Sequence, residues 1–170
     1  MSNLFKSELT KNNMTKKRMT VCLAYEHPYI LLAMKKRGFG EGRWNGYGGK
    51  VKKGESIEES AVREIKEESR IKVSKLEKMG IIDFEFQTDI RDILEVHFFH
   101  ILDYKGEAIE TEEMRPKWFD IENLPYNKMW PDDPHWMPIF LRGEKFKGKI
   151  YFKDQNTILK EKLRIVEELK

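Results

Sequence analysis

Hydrophobic and β-branched residues fall in short blocks along the chain, and the spacing within each block predicts its element. Thr20–Tyr25 (TVCLAY) and Tyr29–Met34 (YILLAM) flank the turn-forming Glu26-His27-Pro28, the pattern of a β-hairpin. Met79–Thr88 and Ile93–Leu102 are rich in aromatic and β-branched residues; with Asp89–Asp92 between them they predict a second antiparallel pair. Trp118–Asp120 adds a short strand, and Lys149–Lys153 alternates like another. Between Glu55 and Ile71 the period changes. Ile57, Ala61, Val62, Ile65 and Ile71 recur at helical spacing, Ser56 stands at the N-cap, and Glu59 is its capping-box partner. A short helix opens within Trp130–Trp136. Ile158, Leu159, Leu163, Ile165, Val166 and Leu169 predict a closing helix over Thr157–Leu169. The expected architecture is α/β (α+β), a single domain over 19–170 with a mixed sheet and helices on both sides. It follows a flexible N-terminal extension over 1–18 that is poor in large apolar groups.

Composition narrows the classes. A chain of 170 residues, 39% hydrophobic and 36% charged with four Trp and ten Phe, suits one packed core and excludes a disordered protein. The net charge of +3 is too balanced for a protein that coats nucleic acid or an anionic membrane, so neither is an expected partner and any basic site must be local. One cysteine, Cys22, excludes an internal disulfide and a Cys-rich zinc site and suits a reducing compartment. With no long apolar run and no secretory pattern at the N-terminus, the expected location is cytoplasmic.

Two features carry candidate chemistry. Lys35–Gly49 (KKRGFGEGRWNGYGG) has six glycines in fifteen residues, so this loop turns tightly or approaches a ligand closely. On the helix that follows, Glu64 lies three and four residues before Glu67 and Glu68, which puts three carboxylates on one face. Each like-charge pair costs a few tenths of a kcal/mol in an isolated helix. Spacing leaves two readings open: a metal–phosphate site built on a hard divalent cation, or a solvated acidic face with Arg63 and Lys66 as ion-pair partners.

The longer pattern Gly49-(five residues)-Glu55-(seven residues)-Arg63-Glu64-Ile65-Lys66-Glu67-Glu68-Ser69-Arg70-Ile71 resembles the Nudix box, the signature of hydrolases that cleave nucleoside diphosphates linked to another moiety. Its one departure is Arg70, where the box has glycine. A non-glycine residue in the left-handed, helix-ending conformation of that position costs about 1 kcal/mol. From about Thr20 to about Glu168 the chain is also similar to the MutT-type branch that hydrolyses oxidised purine nucleoside triphosphates such as 8-oxo-dGTP. The similarity rests on Met34–Val51, Glu112–Phe119, Met129–Trp136 and Asp154–Leu159.

The resemblance implies the Nudix fold, a mixed β-sandwich flanked by helices, and a monomer acting on a small nucleotide. It implies Mg²⁺, with Mn²⁺ as an alternative, held by Glu64, Glu67, Glu68, Glu113 and the carbonyl of Gly48. The proton acceptor is Glu113 or one of the box glutamates, Arg63 orients carboxylates, and Glu55 is a structural residue of the loop. Thr20, Lys35, Gly48, Gly49 and Lys50 would contact the nucleotide. Phe39, Asn45, Leu94, Trp130, Asp132 and Asp133 would form the base pocket, Trp130 by stacking and Asn45 through its amide. Adjacent buried aspartates share a proton and so present one donor and one acceptor, an arrangement able to read a guanine edge and, with the proton moved, an oxidised adenine.

Blander readings stand beside these: Trp130 as core, Asp132-Asp133 as a helix cap, Lys35 as surface, and His97, His100 and His135 as strand or surface histidines. Two departures bear on substrate choice. The connection Gln87–Asp92 is one residue longer than in vertebrate members of the branch, and Leu94 replaces their methionine. The expected activity is metal-dependent hydrolysis of oxidised purine nucleoside triphosphates to monophosphate and pyrophosphate. The alternatives are a general Nudix pyrophosphatase acting on ordinary dNTPs, dinucleoside polyphosphates or nucleotide sugars, and a non-catalytic nucleotide-binding module.

Overall fold

The first hairpin forms where its two apolar runs and the turn between them predict it. Strand β1 (Thr15–Glu26) turns into β2 (Tyr29–Lys35), with Ala24 opposite Leu31 and Glu26 opposite Tyr29. The computed structural model describes residues 14–170, so most of the expected extension lies outside the described residues. Its end does not fray as expected: Thr15–Arg18 already belong to β1, because their backbone pairs in parallel with Asp92–Glu95. After β2 come β3 (Trp44–Asn45), helix α1 (Ile57–Ser69), β4 (Lys72–Phe86), β5 (Asp89–Lys105), β6 (Met114–Asp120), helix α2 (Asp133–Leu141), β7 (Lys145–Asp154) and β8 (Thr157–Val166). The strands form one mixed sheet of order β3-β2-β1-β5-β4-β7-β8, with β6 along β2.

Each helix covers part of one sheet face. On one side, Ala61 and Ile65 of α1 share a buried cluster with Cys22, Ala24, Phe99 and Ile101. On the other, Trp136 of α2 lies against Phe98, with ring centroids 4.4 Å apart, and against Phe146 at 5.8 Å. The run Val96–Phe99 is buried on both faces, which is why it reads as almost continuously apolar. Each large side chain buried in this way contributes roughly 1.5–3 kcal/mol.

Two expected elements differ. Thr157–Leu169 does not close the chain as a helix. Thr157–Val166 is the edge strand β8, paired antiparallel with β7 from Asp154↔Thr157 to Lys145↔Val166. Leu159 and Ile165, which the helical reading buries, are 55% and 53% exposed. The backbone ladder offered by β7 outweighs a loose helical spacing that had no surface to cover. The connection expected over Gln87–Asp92 shrinks to a tight turn at Gln87-Thr88, because β5 begins at Asp89, opposite Phe86, after a register shift that absorbs the irregularity.

Candidate active site

The glycine loop meets α1 where its backbone has no room for side chains. Gly48 has φ of 149°, and a Cβ there would come within 1.9 Å of the Thr20 carbonyl oxygen; one on Gly49 would meet a Glu64 carboxylate oxygen at 2.7 Å. The loop can approach β1 and α1 this closely because it donates inward: the Gly48 N–H donates to Glu68 Oε1 (2.8 Å) and the Gly49 N–H to the Thr20 hydroxyl (3.3 Å).

Helix α1 begins as its sequence predicts, with Ser56 Oγ accepting from the Glu59 N–H and Glu59 from the Ser56 N–H. It ends at Arg70 in the left-handed conformation, φ 68°, the strained position expected from the missing glycine.

Arg63 organises the outer part of this helix. Its Nε donates to Glu55, and its Nη2 donates to Glu55 (3.0 Å) and to the Lys50 carbonyl (3.3 Å). Its Nη1 donates to Glu64 (2.9 Å) and Glu67 (3.2 Å). The Arg63 side chain and the Lys52 N–H hold the Glu55 carboxyl down to about 2. Glu55 is thereby the anchor that fixes Arg63, as expected of a structural residue.

Glu68 behaves oppositely. Its side chain is buried, and burial pushes its carboxyl up to about 8; Glu64 and Glu113 add to the rise, while the Gly48 N–H and Lys35 oppose it. A buried carboxyl with two further carboxylates near it, beside backbone oxygens, is a donor set suited to a hard divalent cation. Among the described residues, no three acidic, histidine or cysteine side chains lie close enough together to hold a metal ion as they stand.

One cavity of about 340 Å³ gathers most of the expected residues. Glu64, Glu68, Glu113, Gly48, Gly49, Lys50, Thr20 and Lys35 line one part of it; Phe39, Asn45, Leu94, Trp130, Asp132 and Asp133 also line it. Arg63 and Glu67 do not. Glu67, ion-paired to Arg63, lines an adjacent surface groove with Glu68 and Glu113. Glu113 is held at 3.3 Å by Arg37.

At the aromatic end, Trp130 is half-buried rather than core, and its ring lies 5.0 Å from that of Phe39. Asp132 and Asp133 are almost fully buried, yet Asp132 makes no capping bond with its side chain. Instead the Trp136 Nε1 donates to both, at 2.9 Å and 3.1 Å, and Asp133 also accepts from the Trp130 N–H (3.1 Å). Burial raises both carboxyls, and for Asp133 the neighbouring Asp132 adds to it. The Asn45 Oδ1 accepts from the Gly46 N–H (2.8 Å), which leaves the amide nitrogen as the group able to face a ligand.

Several lining residues were not anticipated: Phe84, Phe86, Val96, Phe98, Trp136 and Phe152 among them. Counting by twos from Leu94 would have found Val96 and Phe98, since alternate strand residues share a face. Nothing local marks Phe152. Arg43 was missed as well. Its guanidinium lies 4.1 Å from the Trp130 ring centroid, and its Nη2 donates to Asn156 Oδ1 (2.7 Å) in the β7–β8 turn. Cys22 is fully buried and its thiol is pushed up, first by burial and then by Glu68 and Glu64, so it is no nucleophile.

The model of the NUDIX domain matches residues 15–140, nearly the whole span that builds this cavity. The chain belongs to the NUDIX family. It is 46% identical over 155 residues to a zebrafish (Danio rerio) protein named oxidized purine nucleoside triphosphate hydrolase, covering 91% of this chain and 99% of that one. A mouse (Mus musculus) protein of the same name is 46% identical over 153 residues, with 90% and 97% covered. Among solved structures, a MutT protein from Bacillus halodurans superposes with a TM-score of 0.76 at 25% identity, covering 90% of this chain and 99% of that one. Among the described residues, the NUDIX fold of this chain is therefore the mixed eight-stranded sheet with two α-helices.

Proposed function

We propose that this NUDIX protein hydrolyses oxidised purine nucleoside triphosphates to the monophosphate and pyrophosphate, acting as a cytoplasmic monomer that keeps oxidised bases out of the nucleotide pool. The observation that carries this reading is a single cavity with an acidic, glycine-lined end and an aromatic end that holds two buried aspartates. The names of the zebrafish and mouse relatives support it.

Glu64, Glu68, Glu113 and the Gly48 carbonyl would hold Mg²⁺, or Mn²⁺ as an alternative, with Glu67 joining from the adjacent groove. When bound, such an ion neutralises triphosphate charge and lowers the pKa of a water. The chain's own residues do the rest. Arg63 fixes the direction of Glu64 while its own position is fixed by Glu55. Lys35, Lys50, Thr20 and Gly49 hold the phosphates, and Glu113 or a box glutamate accepts the proton of the attacking water. Trp130 and Phe39 stack on the base, Leu94 closes the wall, and the Asn45 amide nitrogen donates to the base edge. Asp132 and Asp133 share a proton, offering one donor and one acceptor to the oxidised purine.

The test is kcat/KM with Mg²⁺ for 8-oxo-dGTP against dGTP, with pyrophosphate as the detected product. The expected preference is about tenfold or more, equivalent to about 1.4 kcal/mol of differential transition-state binding. Equal rates would instead indicate a general Nudix pyrophosphatase. Absence of metal-dependent turnover on either would indicate another substrate class or a binding module.

A further inference from the structure

The sheet face that carries α1 is only partly covered by it. Beyond the helix lies an open groove of about 1060 Å³, lined by eight Lys and Arg residues and two carboxylates, Asp83 and Glu95. Its outer wall is a ladder of cations. On β7 and β8, Lys147 stands directly opposite Arg164, and Lys149 directly opposite Lys162. Like charges facing each other across a β-ladder are destabilising, so a sequence built for stability alone would place a carboxylate in one of each pair.

No side-chain carboxylate among the described residues forms an ion pair with any of the four. The Lys147 ammonium donates to the Lys170 carbonyl oxygen (2.8 Å). Asp83 is beside Lys149 in register, but its carboxylate reaches Lys16 (3.6 Å). Glu95 is engaged by Lys16 (2.7 Å), Arg18 (3.7 Å) and His97 (2.7 Å). The acids of the groove floor thus face Lys16 and Arg18 rather than the ladder, and no side-chain carboxylate among the described residues offsets the ladder's charge.

Along β7 the same face continues from Lys147 and Lys149 to Tyr151, which also lines the groove and stands opposite Lys160. We propose that this groove binds single-stranded nucleic acid, with the ladder on successive phosphates and the Tyr151 ring stacked on a base. A positively charged groove combined with a stacking platform is the usual construction of such sites. A concave floor admits an extended strand but not a flat bilayer. The even net charge that argued against nucleic acid concerns the whole chain, whereas the charge here is local to one half of one sheet face.

The ladder and the candidate active site lie on opposite faces of β7: Lys149 and Tyr151 point into the groove, while Phe152 lines the cavity. The two functions are therefore separable by mutation. The experiment is fluorescence anisotropy of a labelled single strand of about twelve nucleotides, as RNA and as DNA, in a salt series. Four phosphate contacts predict a log–log slope of affinity against salt of about −3. The variant K149Q/K162Q/R164Q is expected to lower affinity at low salt about tenfold or more and to reduce the slope to about −0.7. Its hydrolytic activity should be unchanged, and its Tm equal or higher because both like-charged rungs are relieved. Should that variant fold poorly, K149Q alone carries the test through a slope change of about 0.7.

Failure of the wild-type protein to bind either strand at low salt overturns the proposal. So does an equal loss in a K52Q/K53Q control, or undiminished binding by the triple variant. Tighter binding to duplex DNA or to phosphatidylserine vesicles than to single strands, lost in the same variant, also overturns it by assigning the groove to another partner.

Discussion

At the acidic end of the cavity, Glu64 and Glu68 come from one helix and Gly48 and Gly49 from the loop just before it; at the aromatic end, Phe86, Leu94, Trp130 and Phe152 come from four separated segments. The heart of the first end is set by charge and backbone geometry over about twenty residues of chain, to which Thr20, Lys35 and Glu113 are added by the fold. The second exists only once β4, β5 and β7 have been laid side by side. Changes at the acidic end should therefore strike turnover whatever the base, and changes at the aromatic end should strike the choice of base.

The largest effect tests the acidic end. Glu68→Gln keeps an acceptor for the Gly48 N–H but removes the buried carboxylate. Expected is a fall in kcat of about 100-fold or more on every nucleotide, with Tm held or raised because the carboxyl it replaces is costly to ionise where it is buried.

Next in size is the aspartate pair. Asp132→Asn should cost about 5- to 100-fold in kcat/KM for oxidised purines, the worth of a buried hydrogen bond left unmade, and should change the ratio between oxidised guanine and oxidised adenine substrates. Full activity on both would break the contrast between the two ends. The pair also gives a stability signature with a definite sign. Burial raises both carboxyls above their unfolded range, so the folded state binds the extra protons. Their contribution is complete below about pH 4, the unfolded value, and is lost as pH rises through the raised range. Melting curves against pH should therefore lose that decline in the variant with both aspartates changed to asparagine.

Arg43→Met sharpens the comparison at a smaller scale. It removes a cation–π contact worth about 0.5–1 kcal/mol, so KM for the oxidised substrate should rise about two- to fivefold with kcat little changed. Because the Arg43 charge opposes the rise of both aspartates, its loss should also move the pH profile of kcat/KM upward. The smallest effect lies at the end of α1. Arg70→Gly relieves a left-handed residue at φ 68°. It should add about 1 kcal/mol, or about 2–4 °C in Tm, and leave turnover unaltered.

The unequal legibility of the two ends follows from the same contrast. The glycine loop, the capping box and the strained Arg70 were readable because each is decided by residues within a few positions of one another. The aromatic lining was half readable: Trp130, Asp132 and Asp133 came from a resemblance, whereas Phe84, Phe86 and Phe152 carry no local mark. Glu67 shows the limit of periodicity. Helical spacing puts it on the face of Glu64 and Glu68, but its half-exposed side chain lines the adjacent surface groove instead of the cavity. The closing segment failed for a related reason, since Thr157–Val166 has spacing compatible with a loose helix and becomes a strand only because β7 offers an open edge.

The sequence by itself determined the hairpin, the capped helix, the box of carboxylates and membership of the family, because these depend on backbone preference and side-chain period over short spans. Only the tertiary structure decided which face of β4, β5 and β7 became the cavity wall, that Arg43 stacks on Trp130, and that Lys149 and Lys162 stand side by side in the wall of the open groove. Those are relations between residues far apart in sequence, and they exist only where strand register and burial bring the side chains together.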